Sequence, residues 1–595
     1  MNFENILSQA VLESVEELYQ QTLPLESVNI QKTNKEFKGD FTVVVFPFVK
    51  LSKKSPDITA KEIGEKLIEK ILFIDNYNII KGFLNLSLKH DVWIDFLLSA
   101  SQNENFGRNP QAGSQAVIVE FSSPNTNKPL HLGHVRNNLL GESISRILEA
   151  NGEKLVRVNL VNDRGIHICK SMIAWQKYGK GETPLTSGLK GDKLVGKYYV
   201  IFNDTYKRQV EELISDGKTK EEAEKQAPIL LEAQEMLRLW EEGKPEIRDL
   251  WNTLNQWVYQ GFEETYNKMG ITFDKVYYES ETYLLGKDIV REGVIKKAFY
   301  QHTDGSIRVN LQEEGLDEKI LLRADGTSVY ITQDLGTAAL RFNEYNPKQM
   351  IYVVGNEQIY HFDVLKRIIT KKLAYDWGDS IYHLSYGMVE LPSGKMKSRE
   401  GTVVDADELM DEMIAMAKEN TLSLGKTEFG LDELKNLAET IGLGALKYFI
   451  LKVDPKKNML FNPDESIDLN GNTAPFIQYT HARICSLLRK AELSPTPVET
   501  NIQCEELIDA EKEILRILYA YPETVHQAAN ELNPALIANY TYELVKTYNR
   551  FYQEYPILKE ADTHKRLLRL QLSIFTATII RKAMALLGID VPEKM

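Results

Sequence analysis

Cysteine is scarce in this sequence. Its 595 residues hold three, Cys169, Cys485 and Cys504, at no paired spacing. That argues against a disulfide framework and a structural zinc site, and it suits a reducing cytoplasm. No run of about 18 apolar residues occurs, so no transmembrane helix is expected. The opening stretch MNFENILSQAVLESVEEL carries acids early and lacks a basic region and a cleavage site. It reads as an amphipathic helix, not as a signal peptide. Excess positive charge is lacking too, because the net charge is −14. A surface uniformly attractive to nucleic acid is therefore excluded, and any RNA contact must use local patches and shape. No internal repeat or low-complexity segment interrupts the chain.

What is present is the composition of a soluble globular protein, 43% hydrophobic and 26% charged. The chain is too long for one core, so three or four domains are expected. Residues 1–110 read as an α+β module, with strand-like runs in DFTVVVFPFVKL and NIIKGFLNLSL. The turn-rich FGRNPQAGSQ then makes a linker. A strand–helix–strand pattern follows. AVIVEF (116–121) is short and β-rich, and Val135, Leu139, Leu140, Ile144, Ile147 and Leu148 recur at helical spacing up to Asn151-Gly152. LVRVNLV (155–161) is the next strand. This predicts a parallel α/β sheet whose ligands sit beyond the strand C-termini. Residues from about 180 to 280 read as a helical, charged insertion within a catalytic domain spanning 111–410. After a connecting region, 411–470, the remainder (471–595) is all helical. Asp405 and Glu408 fit a capping box at the start of the helix after residue 405.

The loop after the first strand, SSPNTNKPLHLGH, brings two histidines to a helix start. His131 and His134 are three residues apart and share a face. A helix N-terminus offers free N–H groups and partial positive charge, which suits phosphate. Gly133 lets a ligand approach the backbone, and Lys128 adds a mobile cation. A lone histidine at such a place is ordinarily a surface side chain. A metal pair is a further alternative, but no HExxH or cysteine partner accompanies it. The combination within a βα loop favours a phosphate site.

His131-Leu-Gly-His134 resembles the HIGH element of class I aminoacyl-tRNA synthetases, and VEFSSPNTNKPLHLGHVRN is similar to the arginyl-tRNA synthetases among them. The resemblance implies a Rossmann-like catalytic domain, an N-terminal domain that contacts the tRNA corner, and a helical anticodon-binding domain. It implies that arginine is activated with ATP, carried as the Mg²⁺ complex, and transferred to the 3′ end of its tRNA by a monomer. The family generally activates arginine only with tRNA bound. ATP contacts are implied at Pro124, His131, Gly133, His134, Met388, Val389 and Lys395.

The family also carries a KMSKS loop. GKMKSREGTVV (394–404) stands at its place, reading Lys395-Met396-Lys397-Ser398-Arg399. Ser398 occupies the position of the expected second lysine. Lys128, Lys397 and Arg399 then compete to supply the missing charge toward the departing pyrophosphate. For the substrate guanidinium, the resemblance implies Tyr330 and Asp334, with Glu120, Asn125 and Gln358 completing the arginine site. Read alone, Tyr330 is a core aromatic and Asp334 a helix cap.

NGNTAPFIQYTHARICSLLRK (470–490) is similar to the start of the family's anticodon-binding domain. It implies RNA contacts at Asn472, Gln478, Tyr479 and Arg483. Charge gives no support there, because residues 476–595 hold 14 basic and 15 acidic side chains. Gly39-Asp40-Phe41 and Gly82-Phe83 match landmarks of the N-terminal domain loosely. Two rivals remain open from sequence: another nucleotidylyl-transferring enzyme with an HxGH site, and a catalytically dead tRNA-binding paralogue.

Overall fold

The computed structural model describes residues 2–34, 36–110, 113–392, 404–423, 430–493 and 506–595. Its centre is a five-stranded parallel sheet. In spatial order the strands are Ile381–Tyr386, Gln349–Gly355, Ala116–Glu120, Lys154–Val161 and Lys275–Tyr278. The first strand in sequence, Ala116–Glu120, is therefore the middle one, and every residue of it is buried. That is why it reads as an unbroken apolar run and not as an alternating one. The chain leaves it to one side for two strands and returns to its other side with Gln349–Gly355. The crevice at that reversal is where an open α/β sheet binds ligands.

The helix Leu132–Ala150 lies across this centre, and all the apolar positions expected from its spacing are buried. It is enclosed on more than its sheet-facing side. Arg136, Asn138, Ser143 and Ser145 are buried as well. Ser143 Oγ donates to the carbonyl of Leu586, so the last helix of the chain, Thr563–Leu586, packs directly on it. Gly141 permits the close approach of the sheet, since a Cβ there would stand 2.2 Å from Phe121 Cγ.

Helices Gly191–Ser215, Lys220–Gln226, Pro228–Glu241 and Pro245–Met269 fill the insertion. The segment expected to be wholly helical to about residue 280 differs at its end. Lys275–Tyr278 is the edge strand of the parallel sheet. Four residues between Asp274 and Glu279 are too short and too polar at their margins to show a period. A second sheet shows in the sequence only through its last strand, since KILLRADGT (319–327) reads as strand-like while its two shorter partners show no period. Tyr300–Gln301, Ile307–Val309 and Lys319–Leu322 form an antiparallel layer of two- to four-residue strands. At the expected capping box, Asp405 Oδ1 accepts from the amides of Asp407 and Glu408. The Glu408 carboxylate instead meets Lys193, at 3.2 Å.

The N-terminal module is a four-stranded antiparallel sheet with Phe3–Tyr19, Pro56–Lys70 and His90–Gln102 packed on it. Its core is closed by a residue from the far end of the chain. The Tyr519 ring stacks on Phe3 at 4.9 Å and meets Phe41, Trp93 and Phe96 edge-on. From Leu431 onward the chain is almost entirely helical.

Candidate active site

The polypeptide turns sharply as it leaves the central strand. Ser122 and Ser123 both adopt left-handed backbone, φ 75° and 45°. Such strain in non-glycine residues persists only where neighbours enforce it. Here the Ser122 amide donates to Asn137 Oδ1 (2.5 Å) and the Ser123 amide to Asn159 Oδ1 (3.0 Å). Asn137 also donates to the Val353 carbonyl (2.7 Å), so one side chain bridges the two strands that flank the crevice. Pro124 is buried, and its carbonyl accepts from the Asn162 amide (2.9 Å). Asn125 is exposed at the crevice rim.

The two histidines cap the helix Leu132–Ala150 reciprocally. His131 Nδ1 accepts from the Gly133 amide (3.1 Å), and His134 Nδ1 accepts from the His131 amide (3.2 Å). A backbone N–H can only donate, so both Nδ1 atoms are unprotonated and each neutral ring carries its proton on Nε2. The rings lie 4.0 Å apart between centroids. Burial, and then Lys128, lowers His131 to about 4, while burial, then His131 and Lys128, lowers His134 well below the ordinary histidine value. Near neutral pH the two histidines therefore present uncharged N–H donors beside Lys128. Burial also lowers Lys128 from the usual lysine range.

Arg136, buried two residues on, ties this helix to the segment that precedes residue 393. It donates to the carbonyls of Met388 (2.9 Å), Pro455 (3.2 Å) and Lys457 (2.7 Å). Burial lowers Arg136 to about 10, with Tyr386 opposing that shift. Met388 is half-exposed, whereas Val389 is buried in a short ladder with Met459. Past residue 403, the Leu132 amide donates to the Val404 carbonyl (3.2 Å) and the Ala406 amide to that of Leu130 (2.9 Å). Lys395, Lys397 and Arg399 lie outside the described residues.

Beyond the crevice, helix Tyr330–Tyr345 begins with Tyr330, 76% exposed. Tyr330 is thus no core aromatic, and Asp334, in the second turn, is no cap. Asp334 Oδ2 lies 2.5 Å from His361 Nε2. Since a carboxylate oxygen accepts, that nitrogen carries the proton. Glu279, at the end of the edge strand, stands in the same electrostatic neighbourhood. Burial raises it to about 7, Arg164 opposing and Asp163 and Asp334 reinforcing the rise. Gln358 is exposed just past strand Gln349–Gly355.

Glu120 is engaged by the protein itself. Its carboxylate pairs with Arg341, a buried guanidinium set over the rings of Tyr277 (5.1 Å) and Tyr352 (5.6 Å). Ser123 Oγ donates to the other Glu120 oxygen at 3.2 Å. Sequence reasoning missed Glu279, His361, Arg341 and the roles of Arg136 and Asn137. The last two stood within the quoted HLGHVRN, while the others carry no local signature.

The positions expected to read RNA fall into two groups. Gln478 is fully buried, and its amide donates to the carbonyls of Thr440 (3.0 Å) and Asp590 (2.8 Å). Asn472 Oδ1 accepts from Tyr448 (2.6 Å). Both brace the fold. Tyr479 is exposed, and the Arg483 guanidinium lies over its ring (4.9 Å) and over that of Tyr552 (5.4 Å) while donating to Asn549 Oδ1 (2.5 Å). An exposed ring beside a guanidinium suits unstacked bases.

Comparison with known proteins adds three family matches. The class I tRNA synthetase (R) catalytic domain matches residues 97–462. The arginyl-tRNA synthetase N-terminal domain matches 5–88, and the DALR anticodon-binding domain 477–595. An arginine–tRNA ligase of Bacteroides fragilis is 55% identical over 602 residues, covering all of both chains. One of Porphyromonas gingivalis is 55% identical over 578 residues, covering 96% of this chain and 97% of that one. The arginyl-tRNA synthetase structure of Thermus thermophilus shares the fold at TM-score 0.78 and 21% identity, with full coverage of both chains. That of Plasmodium falciparum does so at 0.76 and 21%, covering 99% of each.

Proposed function

The chain belongs to the arginyl-tRNA synthetase family, and from that premise we propose which of its residues carry the reaction. The reaction is that of an arginine–tRNA ligase. Arginine's carboxylate attacks the ATP α-phosphate, giving arginyl-adenylate and pyrophosphate, and the tRNA then takes the arginyl group and releases AMP. ATP brings Mg²⁺ as part of the substrate.

His131 and His134 donate their Nε2–H groups to phosphate oxygens whose charge grows in the transition state. Preformed neutral donors at a helix N-terminus supply that stabilisation without reorganising. Lys128 shares the pyrophosphate charge with Lys395, Lys397 and Arg399. Asp334, held by His361, and Glu279 receive the guanidinium, with Tyr330 and Gln358 at the rim. Asn125 and Glu120 orient the α-amino end, Glu120 through the geometry that Arg341 imposes on it. Tyr479 and Arg483 stack on anticodon bases. The enzyme works as a monomer in the cytoplasm. Among the described residues no helix is long and apolar enough to cross a membrane.

The observation that carries this reading is the reciprocal cap that fixes both histidine tautomers. Asparagine places a polar atom near Nδ1 but none near Nε2, while glutamine does the reverse. His134→Asn therefore keeps the helix and loses the donor. It is expected to slow adenylate formation about 100-fold, with the melting temperature little changed. His134→Gln is expected to retain more activity than His134→Asn. The opposite ranking in single-turnover adenylate assays would remove His134 from the phosphate site.

A further inference from the structure

The charged insertion reads from sequence as a solvated connector, yet its first helix grips the phosphate site from two directions. Gly196 lies against the histidine loop itself. A Cβ there would stand 2.8 Å from Pro129 Cδ and 3.5 Å from Lys128 Cα. One turn earlier, Lys193 Nζ reaches Asp405 Oδ1 (3.5 Å) and Glu408 Oε1 (3.2 Å). Lys190 Nζ bonds Asp407 Oδ2 (2.5 Å) and Thr265 Oγ1 (2.5 Å), and lies 3.2 Å from the fully buried Asp192. Thr265 Oγ1 in turn donates to Asp407 Oδ1 (3.1 Å). These carboxylates belong to residues 405–408, and Asp405 forms an antiparallel bridge with His131. The insertion thus touches both the loop just before His131, at Lys128 and Pro129, and the 405–408 segment that pairs with the His131 backbone.

We propose that Lys190, Lys193 and Gly196 are positioning residues for adenylate formation: the insertion braces the histidine loop and the 404–408 segment in one fixed relation. This rests on the reading of His131 and His134 as the phosphate site. Small displacements at such a site cost rate steeply, because the reacting groups must be held near their attack geometry. The brace acts on the first chemical step. Transfer of arginine from the finished adenylate to tRNA does not use the phosphate donors in the same way.

The test uses the full-length enzyme with tRNA bound, measuring single-turnover adenylate formation and, separately, transfer from preformed arginyl-adenylate. Lys190→Met and Gly196→Ala are expected to slow adenylate formation about tenfold or more, with transfer and tRNA affinity within about twofold. Lys193→Met, on a partly exposed side chain, is expected to give the same signature at smaller size, and it keeps the test open if Lys190→Met does not fold. Equal slowing of both steps would mark a merely structural role and overturn the proposal. His134→Asn run in parallel separates the premises. If it is slow while the brace variants match wild type, the brace is wrong and the phosphate site stands. If His134→Asn itself matches wild type, the underlying site reading fails.

Discussion

At the residue scale the proposed site divides into a phosphate end and a guanidinium end with different responses to pH. The proposed phosphate end is held neutral, since burial keeps both histidines well below neutrality. At saturating arginine, adenylate formation is expected to show no histidine ionisation between pH 6 and 8. The guanidinium end behaves otherwise. Glu279, raised by burial to about 7, gains its charge across that same range. Its folded value exceeds its unfolded one, so the folded state holds the proton more tightly, and ligand-free stability falls as pH rises from the ordinary carboxylate range to about 7 and levels off above it. A bound guanidinium reverses the preference. The KM for arginine is therefore expected to fall by up to about tenfold from pH 6 to 8, and Glu279→Gln to flatten that profile. Asp334→Asn is expected to cost about 3 kcal/mol or more in kcat/KM for arginine, because a buried cation loses its partner. Near-wild-type kinetics would remove Asp334 from the pocket. Lys128→Ala should slow adenylate formation far more than it weakens tRNA binding, and equal small effects would sink its role. The histidines and Lys128 were legible because they sit within seven residues of each other. Glu279, Arg341 and His361 were not, because each lies on a different element, far from the others in sequence.

At the element scale, periodicity located the central strand and the helix Leu132–Ala150 closely. It failed where elements are shorter than a period can register, as in Lys275–Tyr278, Tyr300–Gln301 and Ile307–Val309. It also understated how deep the histidine helix lies. Helical spacing marks an apolar stripe, but Arg136, Asn138 and Ser143 are buried outside it because terminal helices cover the outer face. Two changes check this packing. Gly141→Ala forces a methyl into Phe121 and is expected to cost about 1–3 kcal/mol in chemical denaturation. Arg136→Met removes the buried guanidinium that donates to the Met388, Pro455 and Lys457 carbonyls, of which the first two keep an amide partner, and is expected to destabilise by about 1–3 kcal/mol. Arg136→Met should also lower kcat for adenylate formation more than it raises the KM for tRNA. An unchanged midpoint in either variant would contradict the packing described.

At the scale of the whole molecule, the RNA-reading and chemical ends share one framework. Tyr519 closes the core of the N-terminal module, and Arg516 bonds Asp40 within it (2.5 Å). The last turn of the chain is gripped from several sides. Arg146 and Ser143 on the histidine helix hold the carbonyls of Ala585 and Leu586, Lys447 that of Gly588, and Gln478 that of Asp590. Residue Gln478, expected at the RNA, thus belongs to the link between the helical domain and the catalytic centre. No sequence pattern marks such a link, because its acceptors are main-chain carbonyls. Tyr519→Ala is expected to cost about 3–5 kcal/mol and to weaken tRNA binding without altering the KM for ATP. These residues are proposed to form an arginine-activating site completed when tRNA is bound. Pyrophosphate exchange, run with and without arginine and with and without tRNA, checks this. Exchange that requires arginine and stays weak until tRNA is added is expected. An enzyme that binds tRNA tightly yet shows no arginine-dependent exchange would contradict it.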